Sequence, residues 1–184
     1  MAELGFWSFA QANPEKFALV DPDGREWTRG ELLANANQIA NGLRAQGLGK
    51  GDCVAVVLEN CAEMFQVYLA VTQVGMYMTP INNHLTGHEI AFIVEDSGAK
   101  VFIGSERFAD ACNAAREEAN FPSDKSFALG SVPGFAHLDA LKEGQSTDLP
   151  DNRSAGQVMN YTSGTTGKPK GVRRALADIS PDLV

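Results

Sequence analysis

The sequence predicts an α/β fold, a mostly parallel sheet flanked by helices, and three observations carry that prediction. CVAVVL (53–58), MYMTPI (76–81) and KVFIG (100–104) are short, largely apolar runs. A run of that kind, without polar alternation, is the pattern of a strand buried on both faces. Between these runs lie stretches whose apolar residues recur at helical spacing. Gly47, Gly75 and Gly98 stand where helical stretches should stop, as C-terminal caps do. Strands alternating with helices give parallel neighbours joined by right-handed crossovers, with helices on both faces.

Each element follows in order. Phe6, Trp7 and Phe9 are expected as core or interface anchors. FALVDPDGREWT (17–28) reads as two short strands around Asp23-Gly24, a dipeptide suited to a hairpin turn. Thr28 and Glu31 have the spacing of a capping box, in which each side chain satisfies an orphan backbone donor, so a helix starts there. Leu32, Ala36, Ile39, Ala40 and Leu43 line its apolar face. Residues 62–74 read as a second helix with Phe65, Tyr68, Leu69 and Thr72 at compatible spacing. Pro80 and Asn82-Asn83 close the second buried strand. Thr86 and Glu89 form another capping box, and Ile90, Ile93 and Val94 make that helix's buried face. Residues 106–119 are predicted helical through Phe108, Ala111, Cys112 and Ala115. Pro122, Pro133 and Pro150 break up residues 120–155, leaving a short strand near 126–129 and a helical turn near 136–142. VMNYT (158–162) is a final strand.

The chain has 184 residues, the length of one domain. With 44% hydrophobic and 21% charged residues it reads as an ordinary globular chain. No run approaches the ~18–20 apolar residues of a membrane span, and the first residues lack the basic and apolar regions of a secretory leader. Cys53, Cys61 and Cys112 are odd in number and widely spaced, neither a disulfide framework nor a zinc pattern. A cytoplasmic location is expected. His84 and His88 are four apart, a spacing that can hold a metal on a helix, but Thr86 caps between them and no third ligand is near. No metal site is expected.

The net charge of −8 argues against nucleic acid as a partner. Its distribution says more. Residues 152–177 contain no acid but five bases: Arg153, Lys168, Lys170, Arg173 and Arg174. The rest of the chain carries 10 bases against 23 acids, a net of −13. A positive island in an acidic protein suits a small anion; a solvated basic turn would look the same.

Within that island lies YTSGTTGKPKGV (161–172). Glycines at 164, 167 and 171 permit tight turns and close backbone approach. The hydroxyls of Thr162, Ser163, Thr165 and Thr166 are short donors. Lys168 and Lys170 add charge, and Pro169 stiffens the exit while turning Lys168 away from helical geometry. The pattern departs from G-x-x-x-x-G-K-[ST], because Pro169 occupies the Mg²⁺-binding hydroxyl position. Composition alone does not separate a phosphate-binding loop from a polar hairpin loop.

YTSGTTGKPKGV resembles, over all twelve residues, the phosphate-loop signature of the adenylate-forming superfamily: acyl-CoA synthetases, luciferases and peptide-synthetase adenylation domains. WTRGELLANANQIANGLRAQGLGKGDCVAVVLEN and GMYMTPINNHLTGHEIAFIVEDSGAKVFI are similar to the family's upstream segments. The resemblance runs over about residues 5–176 and favours the acyl-CoA synthetase branch, especially fatty-acid or aryl-acid ligases.

The resemblance implies the N-terminal part of the large domain of such an enzyme. Residues 1–184 would be an incomplete AMP-binding domain with its phosphate loop at 161–172 and the C-terminal domain absent. It implies an ATP-dependent carboxylic acid–CoA ligase that forms an acyl-adenylate and then an acyl-CoA thioester. ATP, Mg²⁺ and CoA would be used by the full-length parent, with a small carboxylic acid as substrate. The implied phosphate-binding residues are Thr162, Ser163, Gly164, Thr165, Thr166, Gly167, Lys168, Lys170 and Gly171. Lys170 ranks above Lys168, because the Pro-Lys-Gly lysine is the more constant part of the pattern. No catalytic residue is assigned, since the implied catalytic lysine and nucleotide pocket lie downstream. The chain alone is expected to be inactive; the alternative is a non-catalytic binding or scaffold module of the same fold. After Gly171-Val172 the family commonly has a hydrophobic pair, a hydroxyl residue and a histidine. Here Arg173-Arg174-Ala175-Leu176 follow, either supporting the anion site or forming a solvated tail. A sheet cut within a domain would expose an edge and apolar faces, so a homodimer is expected.

Overall fold

The sheet is organised around β3 (Cys53–Val56), whose four residues are all buried. The computed structural model describes residues 5–162 and 169–183. On one side of β3 lies β4 (Tyr77–Pro80), and on the other β5 (Ala99–Ser105). Beyond β5 come β6 (Ser126–Leu129) and β7 (Ala136–His137); beyond β4 comes β8 (Gln157–Val158). All five pairings are parallel. The chain steps from β3 outward to β4 and then back across β3 to β5, so successive crossover helices fall on opposite faces.

Two layers of core result. One face carries α1 (Phe6–Ala12), α2 (Arg29–Ala45) and α3 (Ala62–Gln73), packed on Val54, Val56, Met78, Val101 and Ile103. The other carries α4 (Gly87–Asp96) and α5 (Ala109–Glu118) over Ala55, Val57, Phe102 and Ala128. Successive residues of β3 and β5 thus serve opposite cores, which is why the strands read as unbroken apolar runs. Phe102 is fully buried, with Phe121 and Phe135 edge-on to it at 6.1 and 5.3 Å between ring centroids.

The starts of α2 and α4 are those the sequence predicts, whereas the helix expected over 106–119 opens with a 3₁₀ turn at Glu106–Phe108 and α1 was not foreseen. Thr28 and Glu31 form a complete capping box at α2, and Thr86 and Glu89 do so at α4. These bonds to backbone and side-chain donors hold both glutamates below the ordinary carboxylate range. The hairpin of β1 (Phe17–Val20) and β2 (Glu26–Thr28) is antiparallel, with Gly24 at φ +86 in its turn. Asp21 in that turn accepts hydrogen bonds from Trp27 Nε1 and from the backbone N–H of Ala62. Cys61 gives α3 no side-chain cap, so a residue forty-one positions away caps the helix instead.

Three expectations are corrected. Phe65 and Tyr68 are 53% and 40% exposed, whereas Gln66, Val67, Ala70 and Val71 are buried. α3 packs against both α2 and the sheet with Val67, Ala70 and Val71, and Phe65 and Tyr68 project to its exposed side. β7 was not foreseen: two exposed residues carry no apolar signal, and the helical turn after them is a 3₁₀ turn at Leu138–Leu141. VMNYT is not one strand; it divides into β8 and β9 (Asn160–Thr162), and β9 pairs antiparallel with the unforeseen β10 (Lys170–Val172).

The irregular stretch before β8 is held by a row of side chains on α2. Asn37, Gln38, Asn41 and Arg44 donate to the carbonyls of Thr147, Gln145, Ser146 and Asp151. Among the described residues, no helix is long and apolar enough to cross a membrane.

Candidate functional site

The glycine-rich segment begins and ends on a two-stranded hairpin. β9 leaves the sheet directly after β8, and β10 returns beside it with Lys170 opposite Thr162, Gly171 opposite Tyr161 and Val172 opposite Asn160. Residues directly opposite in an antiparallel pair place their side chains on one face. Thr162 and Lys170, both exposed, therefore stand side by side where the segment leaves and rejoins the hairpin. Ser163, Gly164, Thr165, Thr166, Gly167 and Lys168 lie outside the described residues.

β8 can approach β4 because residue 156 is glycine. A Cβ there would stand 2.3 Å from the Met76 carbonyl oxygen, and the Gly156 N–H donates to the Thr72 carbonyl at 2.7 Å. Gly171 is required for a different reason: a Cβ would lie 2.5 Å from Met159 Cε and 2.9 Å from the Tyr161 ring. Its place in the motif thus includes packing as well as any backbone approach to a ligand.

Both strands of the hairpin are tied to the body. From β9, the Tyr161 hydroxyl donates to Asp96 Oδ2 at 2.6 Å, at the end of α4. Partial burial and the Asp96 carboxylate push the Tyr161 phenol far above its ordinary range, so it stays a donor. Just past β10, the Arg173 guanidinium donates to the Gly51 carbonyl at 2.5 Å and lies 4.4 Å from the centre of the Tyr77 ring. The Tyr77 hydroxyl donates to the Arg174 carbonyl at 2.5 Å. Beneath the hairpin, Cys53, Tyr77 and Met159 form a small core to which Tyr161 and Leu176 add.

These contacts revise the charge island. Arg153 is paired with Asp182 in a largely buried ion pair. Arg173, though exposed, is tied to a carbonyl and a ring and helps lower the nearby Asp52 carboxyl. Among the described residues, Lys170 makes no ion pair or hydrogen bond through its side chain and is exposed. The segment after the hairpin continues as a strap. Lys50 pairs with Asp178 at 2.6 Å, the Ala155 N–H donates to Ile179, and Gly5 donates to Asp182.

Next to the hairpin lies a cleft of 660 Å³ walled by Trp7, Tyr68, Thr72 and the exposed side of β8, with Thr162, Val172 and Arg174 at its rim. The remaining candidates contribute no chemistry of this kind. His88 Nδ1 is paired with Glu118 on the surface, and the His84 N–H donates to Asn82. Cys53, Cys61 and Cys112 are free. Burial raises all three thiols, Cys61 to about 12 and Cys112 to about 11. Sequence reading missed Asp96, Tyr77 and Gly51 as partners of the hairpin; they lie 65 to 122 positions from the residues they hold, with no local signal.

Comparison with known proteins follows the same outline. The AMP-binding enzyme family model matches residues 6–179. The chain is 34% identical over 170 residues to the long-chain-fatty-acid–CoA ligase FadD13 of Mycobacterium tuberculosis, covering 89% of this chain and 32% of that protein. Among solved structures, the anthranilate CoA ligase AuaEII in complex with anthranoyl-AMP superposes with a TM-score of 0.78 at 25% identity, covering 94% of this chain and 34% of that one. The o-succinylbenzoate CoA synthetase MenE of Bacillus subtilis, in complex with ATP and magnesium, does so at 0.67 and 27% identity, covering 91% and 41%. The chain thus spans about a third of the length of FadD13. With residues 6–179 matched by that family model, nearly the whole of this sequence, the chain belongs to the AMP-binding enzyme family.

Proposed function

We propose that this chain is the N-terminal part of the nucleotide-binding domain of an ATP-dependent carboxylic acid–CoA ligase, and that residues 162–171 are its grip on the nucleotide's phosphates. The observation that carries the reading is the pairing of Thr162 with Lys170. It sets a hydroxyl donor beside a cation with no internal partner among the described residues, at the two ends of a segment whose sequence is rich in donors. In this reading Thr162, Ser163, Thr165 and Thr166 donate to phosphate oxygens. Gly164, Gly167 and Gly171 let the backbone approach, and Lys168 and Lys170 offset the charge of the pyrophosphate that leaves. Positioning and charge neutralisation are what such a step needs from a protein; no general base is required.

When bound, Mg·ATP would supply an activated α-phosphorus for attack by a substrate carboxylate, giving an acyl-adenylate and pyrophosphate. CoA thiol would then take the acyl group and release AMP. The donors and cations of residues 162–171 fit phosphate oxygens rather than the metal, so Mg²⁺ would come with the nucleotide. The nucleotide's base and ribose, the acid and CoA would be held by parts of the domain downstream of this chain. The 184-residue chain alone would bind phosphates weakly and catalyse nothing.

Acid-dependent ATP–pyrophosphate exchange is the test of inactivity: the purified chain is expected to give none, and clear exchange would overturn that part. Titration with Mg-pyrophosphate tests the grip, with binding in the wild-type chain and its loss in Lys170→Ala expected. Self-association through the exposed faces of α1, β1 and α3 is part of the same reading, because Phe9, Phe17, Phe65 and Tyr68 are all at least 40% exposed there. A monomer by light scattering at high concentration would remove it. The non-catalytic module remains the alternative, and exchange activity in the whole parent protein decides between the two.

A further inference from the structure

We propose that two clamps hold the feet of the β9–β10 hairpin, Tyr161 on Asp96 and Arg173 on Gly51 and Tyr77, and that these are positioning residues for phosphate binding. This rests on the reading of residues 162–171 as a phosphate grip. Besides the clamps, among the described residues, the hairpin has only the small core of Cys53, Tyr77 and Met159 beneath it and the strap that follows β10. β9 and β10 are three residues each, Thr162, Lys170 and Val172 are exposed, and the pair sits outside the main sheet. An isolated two-stranded hairpin is marginal by itself.

The clamps act on different strands and different parts of the body. Tyr161 reaches the last residue of α4, and its ring lies against the Gly171 backbone, so one side chain registers both strands. Arg173 comes immediately after β10. Its planar guanidinium suits both a carbonyl and an aromatic face, a combination that lysine does not reproduce. Tyr77 takes part twice, with its ring under Arg173 and its hydroxyl on the Arg174 carbonyl. Gly51 and Tyr77 lead into β3 and β4, the best-packed part of the sheet. The loop's two ends are thereby referred to a rigid frame, and Lys170 is kept beside Thr162 rather than free to swing. Pre-setting donors and charges in this way lowers the cost of ordering them on a ligand.

The experiment compares the wild-type chain with Tyr161→Phe, Asp96→Ala, Arg173→Ala and Arg173→Lys. Amide hydrogen exchange is followed in β9 and β10, with β5 as the internal control for folding. Mg-pyrophosphate binding is measured calorimetrically on the same samples. Exchange in β9 and β10 is expected to rise about tenfold in Tyr161→Phe and Arg173→Ala, the lower end for losing a hydrogen bond to a charged group. β5 should be unchanged, and pyrophosphate affinity should fall by about three- to tenfold. Arg173→Lys should recover only part of the effect, and Asp96→Ala combined with Tyr161→Phe should add nothing to either alone. Unchanged exchange in the hairpin would overturn the clamps. Faster exchange with undiminished pyrophosphate affinity would overturn their role in positioning. Absence of pyrophosphate binding by the wild-type chain would instead overturn the phosphate reading and the positioning role with it, leaving the exchange result to decide the clamps alone.

Discussion

β3 and the β9–β10 hairpin belong to one molecule but are held by different forces. Every side chain of β3 is buried, between α2 and α3 on one face and α4 on the other. Its stability is that of apolar burial, about 1.5–3 kcal/mol for each large side chain fully removed from water. The hairpin buries little and is fastened by a phenol–carboxylate bond, an arginine on a carbonyl and a tyrosine on a carbonyl. The difference separates two tasks. A frame must not move, and packing of both faces ensures that. The hairpin from which the proposed phosphate grip springs is not packed in this way, and its feet are held by a few polar tethers.

The comparison can be broken most sharply at Phe102. Phe102→Ala empties a fully buried site that touches Phe121 and Phe135, and a loss of about 3–5 kcal/mol is expected from denaturant unfolding. A loss under about 1 kcal/mol would mean that the centre is not the frame described. Asp21→Ala comes next. It removes the acceptor of both Trp27 Nε1 and the Ala62 N–H, with an expected loss of about 1–3 kcal/mol by the same measurement. Tyr161→Phe should cost the whole fold no more than about 1 kcal/mol, because the hairpin's tether is local. A global loss as large as that of Phe102→Ala would erase the distinction between frame and loop.

The smallest effect is the dependence on pH. Hydrogen bonds from Thr28 and Thr86 depress Glu31 and Glu89 below the ordinary 4.5. For Asp52, partial burial pushes up, but Lys100 and the Gly49 N–H outweigh it, and the group ends below 3.8; Lys142 lowers Asp139 likewise. A carboxyl lowered by folding stabilises the native state above its unfolded value, and that stability is lost as pH falls through the folded value. Unfolding midpoints should therefore be level down to about pH 5 and decline below it. Glu31→Gln with Glu89→Gln should flatten the decline, and the amides of β3 should be the last to respond. A midpoint that rises on acidification would contradict the capping assignments.

Much of this was legible from residue order. CVAVVL, MYMTPI and KVFIG announce buried parallel strands because both faces of each strand are covered, and covered residues need no alternation. Thr28 with Glu31 and Thr86 with Glu89 announce helix starts because a capping box is complete within four residues. The make-up of 161–172 is legible for the same reason, since its hydroxyls, glycines and lysines are neighbours in sequence, while its phosphate-binding role is the proposal made above. The face of α3 was not legible, since Phe65 and Val67 are both apolar and only the closeness of α2 and the sheet selects the smaller. β7 and β10 were missed because two or three exposed residues become a strand only when a partner stands beside them.

What the sequence determined by itself, then, is the central alternation of strands and helices, the caps at α2 and α4, the family, and a segment rich in hydroxyls, glycines and lysines. Those are properties of short range, fixed by groups a few bonds apart. Tertiary structure decided which bases of the island remain available. It paired Arg153 with Asp182, turned Arg173 onto Gly51 and Tyr77, and left Lys170 beside Thr162. The physical reason is that a charge is spent or spared by whatever the fold brings within a few ångströms of it, and those partners lie 29 to 122 positions away along the chain.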